Sequence, residues 1–216
     1  MRGYDVVQVT NPVFFDLRPE KNWAIFKYLK KHNKKIFLDA LAIDHYYVKA
    51  CLDGKTFRYS DFFVGDRPLP HPEREKMLAA WIGGPNERPN IEMAQEANGI
   101  IACLYEYYAA YQPEYADKLA YIPIPIDLSI NPFHPIKSTP EVVKFFIGIQ
   151  QHRTAIKGTD ILLDVLREIH DKYPRESHIQ KVVSVPFDEY NKLLVDCHIL
   201  PVSYTHLRAH ETAANL

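Results

Sequence analysis

VKFFIGIQQHRTAIKGTDILLDVL, residues 143–166, contains the strand-to-helix junction from which the fold can be predicted. Its first residues are mostly β-branched or aromatic, which predicts a buried strand that runs to about Ile149. Apolar residues then recur with helical spacing over residues 159–173, at Ile161, Leu162, Val165, Leu166 and Ile169. A strand that passes through a short loop into an amphipathic helix is the repeating unit of α/β proteins with parallel sheets.

The same alternation extends through the chain in both directions. Further strands are predicted at residues 4–10 (YDVVQVT), 34–44, 99–105, 119–123 and 181–185, and the helical patterns lie between them. We therefore expect an α/β fold with two Rossmann-like parallel-sheet domains, both incomplete, and helices on both faces of each sheet.

A proline-rich segment, PIPIDLSINPFHP at residues 123–135, interrupts the alternation. Its four prolines cannot continue a helix or a central strand. We expect an N-terminal domain at residues 1–126, a linker at 127–135 and the first part of a C-terminal domain at 136–200.

The last sixteen residues, PVSYTHLRAHETAANL at 201–216, do not continue this pattern. They resemble the translated remnant of a sequencing adapter, so we expect a foreign or disordered tail. His206, His210 and Glu211 would otherwise imitate the spacing of zinc ligands. No metal site is expected there.

Composition excludes several classes of protein. A net charge of −1 provides no basic surface for nucleic acid. Cys51, Cys103 and Cys197 are an odd number of cysteines in apolar settings, which favours reduced thiols. No apolar stretch reaches the ~18–20 residues that span a bilayer. A cytoplasmic protein is expected.

Two cations lie in the loop of the opening stretch. Arg153 and Lys157 precede Gly158 and Thr159, where the helix is predicted to begin with Thr159 as its N-cap. A helix N-terminus carries partial positive charge, and glycine lets a ligand approach the backbone closely. Two cations beside such a terminus suit a diphosphate, since arginine can bind phosphate oxygens in pairs. Solvated loop cations beside an ordinary turn are the alternative.

The stretch resembles the second domain of GT-B-fold retaining glycosyltransferases of the family-4-like (group 1) kind. There a strand ending in glycine is followed by an arginine and by a lysine-glycine pair that opens a helix, which Arg153, Lys157 and Gly158 match. The resemblance covers most of residues 4–200 and includes YDVVQV, ANGIIACLYEYYAAY and the linker IPIPIDL.

The resemblance implies transfer of a sugar from a UDP- or GDP-sugar donor to a glycan or lipid-linked acceptor. Arg153 and Lys157 would be the catalytic cations that bind the donor diphosphate, together with Gly158 and Thr159. No metal cofactor is expected, and peripheral association with the inner face of the membrane is a further expectation. The family's first strand and its later acidic motif have no counterpart here, so we expect a chain truncated at both ends and inactive alone.

Candidate residues for the acceptor or sugar cleft follow the first-domain strands. They are Asn11, Asp44 and His45. The alternatives are that Asn11 only shapes a turn and that Asp44 caps the helix HYYVKACL. The tyrosines at 105, 107, 108 and 111 could stack against sugars or pack in the core.

Two other functions are compatible with the same residues. A GT-B sugar-nucleotide epimerase or phosphorylase would keep the fold and change the reaction. A non-catalytic nucleotide-sugar-binding or interaction module would bind the donor without transfer.

Overall fold

A computed structural model of the chain describes residues 1–57, 60, 62–64, 67–68, 72–125, 138–151, 158–195 and 197–201. The chain divides into two compact units, which we call the first unit (described up to residue 125) and the second unit (described from residue 138). The predicted linker at 127–135 lies outside the described residues, as does the predicted tail beyond Pro201.

Within its described residues, the first unit contains six strands and five helices. The strands are β1 (Val6–Val9), β2 (Lys35–Ala40), β3 (Phe63–Val64), β4 (Arg67–Pro68), β5 (Gly99–Ala102) and β6 (Leu119–Tyr121). The helices are α1 (Pro19–His32), α2 (His45–Leu52), α3 (Pro72–Trp81), α4 (Glu87–Glu96) and α5 (Tyr105–Tyr115). Four strands form one sheet in the order β1-β2-β5-β6, with every pair parallel, and β3 and β4 form a separate antiparallel pair. The predicted α/β class with a parallel sheet is confirmed.

One face of this sheet carries the core of the first unit. Ile36, Leu38 and Ala40 alternate along β2 and are fully buried. Leu38 is in register with Val9 on one side and with Ile100 on the other. The helices supply the rest of this cluster, chiefly with Phe26, Leu29, Tyr46, Met93, Tyr107 and Tyr111.

The opposite face corrects one prediction, because no described helix covers it. Val6 is exposed there, and Phe37 and Ile101 are half-buried outside the core cluster. The strands follow one another in a single direction across the sheet, so right-handed crossovers return every helix to the same face. Helices on both faces require a reversal of strand order, which the described part of this sheet does not contain.

The second unit does contain such a reversal. Its described elements are β7 (Val143–Ile149), α6 (Thr159–Lys172), β8 (Ser177–Val183) and α7 (Phe187–Leu194). β7 pairs in parallel with β8, and on its other side Phe145 forms a parallel bridge with Ile199. After β8 the chain therefore crosses back over β7.

Helices accordingly cover both faces of β7. α6 packs on the face of Phe145 and Ile147 through Leu162, Leu166 and neighbouring apolar residues. α7 packs on the other face, where the Tyr190 ring meets the Phe146 ring at 5.0 Å and 87°. The predicted helical layers on both faces are confirmed for this unit.

Two predicted details of the second unit are wrong. The strand expected at 181–185 begins earlier and occupies Ser177–Val183. Of the predicted stripe on α6, Ile161 and Val165 are exposed, at 68% and 47%. The described sheet is too narrow to cover the full apolar arc of the helix.

Candidate functional site

The candidate site lies at the carboxyl edge of the sheet in the second unit. Ile199 is hydrogen-bonded to β7 on the side away from β8: the Phe146 amide donates to the Ile199 carbonyl (2.9 Å), and the Ile199 amide donates to the Lys144 carbonyl (3.1 Å). The strand order therefore reverses at β7. Open α/β sheets bind ligands at the carboxyl ends of the strands beside such a reversal.

A cavity of ≈280 Å³ opens at this edge. Its lining comes from the ends of β7 and β8, the residues that follow them, and one side chain of α7: Gly148, Ile149, Gln150, Val182, Ser184, Val185 and Tyr190. Apolar side chains and backbone groups together form its surface. This volume is slightly below the ~300–1,000 Å³ that is usual for small-molecule sites.

Gly148 allows Tyr190 to lie directly against the backbone of β7. A β-carbon at position 148 would come within 2.8 Å of Tyr190 Cε2 and 2.9 Å of its hydroxyl oxygen. Such distances are shorter than van der Waals contact. The glycine therefore sets the position of the aromatic side chain that lines the cavity.

We expect Gly148→Ala to displace the Tyr190 ring and to destabilise the second unit by about 1–3 kcal/mol, as overpacking does. Hydrogen exchange of peptides from α7 and β7 measures the change. Tyr190→Ala removes the obstructing ring, so the cost of Gly148→Ala should largely disappear in that background. An equal cost in both backgrounds would contradict this packing argument.

Ser184 connects the two loops that border the cavity. Its amide donates to the Ile149 carbonyl (3.1 Å), and its hydroxyl accepts from the Gln151 amide (3.1 Å). It has φ 47°, a left-handed conformation that costs a non-glycine residue roughly 1 kcal/mol. Sequence analysis missed Ser184, because nothing in KVVSV distinguishes it from a strand residue.

α6 begins at the same edge with Gly158 as its N-cap. Gly158 has φ 59° and ψ 23°, and its carbonyl accepts from the Leu162 amide (3.2 Å). The prediction of Thr159 as N-cap was wrong by one residue, since a β-branched threonine adopts this left-handed conformation at a higher cost than glycine. Thr159 is instead the first residue of the helix and is buried.

Few described atoms lie close to the α-carbon of Gly158 on the side where a side chain would project. A β-carbon there would meet only Ile161 Cδ1, at 4.0 Å, among the described atoms. Arg153 and Lys157 lie outside the described residues, which stop at Gln151 and resume at Gly158. Their role in binding phosphate stays a prediction.

The candidate acceptor-cleft residues in the first unit form hydrogen bonds with other groups of the protein. Asn11 Oδ1 accepts from the Val13 amide at 2.6 Å, as in the turn that was the alternative interpretation. Asp44 is the N-cap of α2, and its Oδ1 accepts from the Tyr47 amide at 2.9 Å. The capping interpretation of Asp44 is confirmed.

Asp44 also belongs to a buried polar network. Its Oδ2 accepts from the Tyr111 hydroxyl at 2.6 Å, and that hydroxyl accepts in turn from Asn90 Nδ2 at 3.3 Å. Asn90 Oδ1 accepts from the backbone amide of His45 at 2.8 Å. Burial raises the pKa of Asp44 to about 6, although the hydrogen bonds from Tyr111 and Tyr47 oppose the shift.

His45 lies in the same interior. Its Nδ1 is 2.9 Å from the Trp81 carbonyl, to which it donates, and 3.5 Å from Glu87 Oε1. Asp44 and His45 are 1% and 6% exposed. Contact with an acceptor stays a prediction for both residues, and their burial argues against it.

The described residues contain no group of three His, Cys, Asp or Glu side chains arranged to hold a metal ion. The three cysteines, all of them among the described residues, form no disulfide, and burial raises the pKa of the Cys197 thiol. Within the part of the chain that the structure describes, no helix is long and apolar enough to cross a membrane.

Comparisons with protein-family models, curated proteins and solved structures found no match to this chain.

Proposed function

We propose that the chain belongs to a GT-B glycosyltransferase that moves a sugar from a UDP- or GDP-sugar to a glycan or lipid-linked acceptor. One observation carries the proposal. In the second unit, a cavity and the N-terminus of α6 share the carboxyl edge of a parallel sheet at the point where its strand order reverses.

The helix terminus supports a diphosphate at this edge. A helix N-terminus carries a partial positive charge that favours a bound phosphate, and a β-carbon at Gly158 would meet only Ile161 Cδ1, at 4.0 Å, among the described atoms. Lys157 is covalently joined to Gly158, and Arg153 lies two residues after Gln151. In the proposal these two cations bind the phosphate oxygens. The Arg153 guanidinium binds two oxygens at once, and the Lys157 ammonium acts as a point charge.

The cavity suits the nucleoside part of the donor. Tyr190 offers an aromatic surface, Val182 and Val185 offer apolar contacts, and nearby backbone groups can bind polar base atoms. A nucleoside there and a diphosphate at α6 would lie along one edge of the sheet. We therefore assign the cavity to the nucleoside.

The chemistry of transfer requires positive charge at the diphosphate. The bond between the sugar C1 and the phosphate oxygen breaks, and its electron pair stays on that oxygen. The acceptor hydroxyl forms the new bond to C1, and its proton passes to the departing phosphate oxygen. Cations placed in advance beside the leaving diphosphate stabilise this charge in the transition state, an effect worth several kcal/mol in many enzymes.

In the GT-B arrangement that we propose, the first unit binds the acceptor and the second unit binds the donor. A cytoplasmic location and peripheral membrane association are part of this proposal, because nucleotide sugars are cytoplasmic donors and a lipid-linked acceptor lies at the membrane face.

Titration of the chain with UDP and GDP tests the proposal. We expect Arg153→Ala and Lys157→Ala each to weaken binding of the preferred nucleotide by about 10- to 100-fold, since a hydrogen bond to a charged group contributes about 1.5–3 kcal/mol. Calorimetry measures the affinity, and higher salt should reduce the difference.

Arg175 and Lys172 provide matched controls. Both are exposed and lie where α6 ends and β8 is about to begin, at the opposite edge of the sheet. Arg175→Ala and Lys172→Ala should bind as the unmodified chain does. The proposed donor site would be rejected if all four variants bound the nucleotide with equal affinity, or if the unmodified chain bound none.

A further inference from the structure

A row of three tyrosines, two of them exposed and one half-buried, lies at the carboxyl edge of the sheet in the first unit. Tyr105 is the first residue of α5, Tyr108 is one turn later, and Tyr121 is the last residue of β6. Tyr121 is in register with Ala102 at the end of β5. All three rings therefore lie at the edge where parallel sheets bind ligands.

The three rings form one continuous surface, which we call the tyrosine strip. Tyr105 and Tyr108 are stacked, with centroids 6.3 Å apart and planes inclined by 29°. Tyr108 and Tyr121 are 6.0 Å apart at 66°, so the surface curves rather than lying flat. Tyr105 and Tyr121 are 53% and 42% exposed.

The other tyrosines of α5 show that this exposure is selective. Tyr107 and Tyr111 are 3% and 0% exposed and pack in the core. Tyr108 is half-buried at the margin of the core cluster and lies between the exposed Tyr105 and Gln112, at spacings of three and four residues along α5. Large aromatic rings on a solvent-facing side indicate a contact surface.

We propose that the tyrosine strip binds a carbohydrate chain. One face of a pyranose ring carries only C–H groups, which pack against aromatic rings, while its hydroxyls lie at the rim. The strip matches both features, because its two exposed rings, Tyr105 and Tyr121, offer apolar surface and its phenol and Gln112 groups can exchange hydrogen bonds with hydroxyls.

The geometry favours a glycan over a nucleobase or a protein segment. The ring centroids follow one another at 6.3 and 6.0 Å along the strip. Their curved arrangement suits a twisted oligosaccharide better than planar stacked bases. The choice of a glycan rests on the proposed transfer to a glycan acceptor, and the strip would then bind acceptor units beyond the one that receives the sugar.

Binding to an array of neutral and acidic tetra- to octasaccharides tests the inference, followed by calorimetry with the glycan that binds best. We expect Tyr105→Ala and Tyr108→Ala each to weaken that binding about tenfold or more, because each removes a stacking surface. Tyr105→Phe keeps the ring and should retain most of the affinity. Tyr28→Ala is the control, since Tyr28 is a 40% exposed tyrosine on α1 of the same unit.

Three results would overturn the inference: no bound glycan, unchanged affinity in the alanine variants, or a change in self-association without a change in glycan binding. The UDP and GDP titrations separate it from the proposed function. Nucleotide binding without glycan binding would reject the strip alone. Tyrosine-dependent glycan binding without nucleotide binding would support the strip and reject the transferase.

Discussion

Asp44 is expected to make the first unit less stable as the pH rises from about 4 to about 6. Burial raises the pKa of this carboxyl from 3.8 to about 6 in the folded chain. The folded state therefore holds the proton more tightly than the unfolded chain, and this stabilisation is fully present below pH 3.8. It is lost as the pH rises through 6, and at about 1.4 kcal/mol per pKa unit the total is about 3 kcal/mol.

Comparison of the unmodified chain with Asp44→Asn isolates this effect. The variant cannot ionise at position 44. Over this pH range its free energy of unfolding should therefore fall by about 3 kcal/mol less than that of the unmodified chain. The comparison is needed because the pKa values of other carboxyls also change on folding, in both directions. Burial raises the pKa of Asp39, and the hydrogen bond from Lys30 lowers the pKa of Glu96. The pH slope, not the stability at one pH, is the quantity to compare, because the asparagine also changes the hydrogen bond with Tyr111.

Tryptophan fluorescence during urea unfolding is the appropriate measurement. The chain's two tryptophans, Trp23 and Trp81, both lie in the first unit, so the signal reports that unit alone. Asp117→Asn alters an exposed carboxyl of the same unit and should keep the pH slope of the unmodified chain. Identical slopes for the unmodified chain and Asp44→Asn would show that Asp44 does not carry the effect.

Phe146→Ala should produce the largest loss of stability in the second unit, about 3–5 kcal/mol. The Phe146 side chain is fully buried and its ring meets Tyr190 edge to face. Its removal leaves a void between β7 and α7 and takes away the support of a cavity-lining residue. We therefore expect weaker nucleotide binding as well.

Hydrogen exchange of peptides from Val143–Ile149 and Ser177–Val183 measures this loss. Phe187→Ala is a matched control, because Phe187 belongs to the same unit and is 75% exposed, and its replacement should change stability by less than about 0.5 kcal/mol. The packing account would fail if β7 kept its protection in Phe146→Ala, or if both variants lost the same amount.

Local pattern was sufficient to predict most of the elements. The apolar runs predicted β2, β5 and β7, and helical spacing predicted α6 to within one residue at each end. Capping by Asp44, the alternative to its place in the acceptor cleft, also follows from local pattern, since an acidic residue before HYYVKACL has a specific local role. These features depend on interactions between residues that are close together in the chain.

Long-range contacts explain the features that sequence analysis missed. Ile161 and Val165 fit the apolar stripe of α6 but are exposed, because burial depends on the width of the sheet beneath. Tyr121 joins Tyr108 only through the pairing of β5 with β6. The left-handed conformation of Ser184 likewise accompanies its bonds to Ile149 and Gln151 across the sheet edge.

The sequence by itself determined the α/β class, the positions of most strands and helices, and the placement of two cations beside a helix start. Tertiary structure decided that the sheet of the first unit is covered on one face and that the strand order of the second unit reverses at β7. It also decided that Asp44 and His45 point into the core, whereas Tyr105 faces solvent. The reason is physical: periodicity encodes which residues avoid water, but only the packing of distant segments determines which surfaces remain available to a ligand.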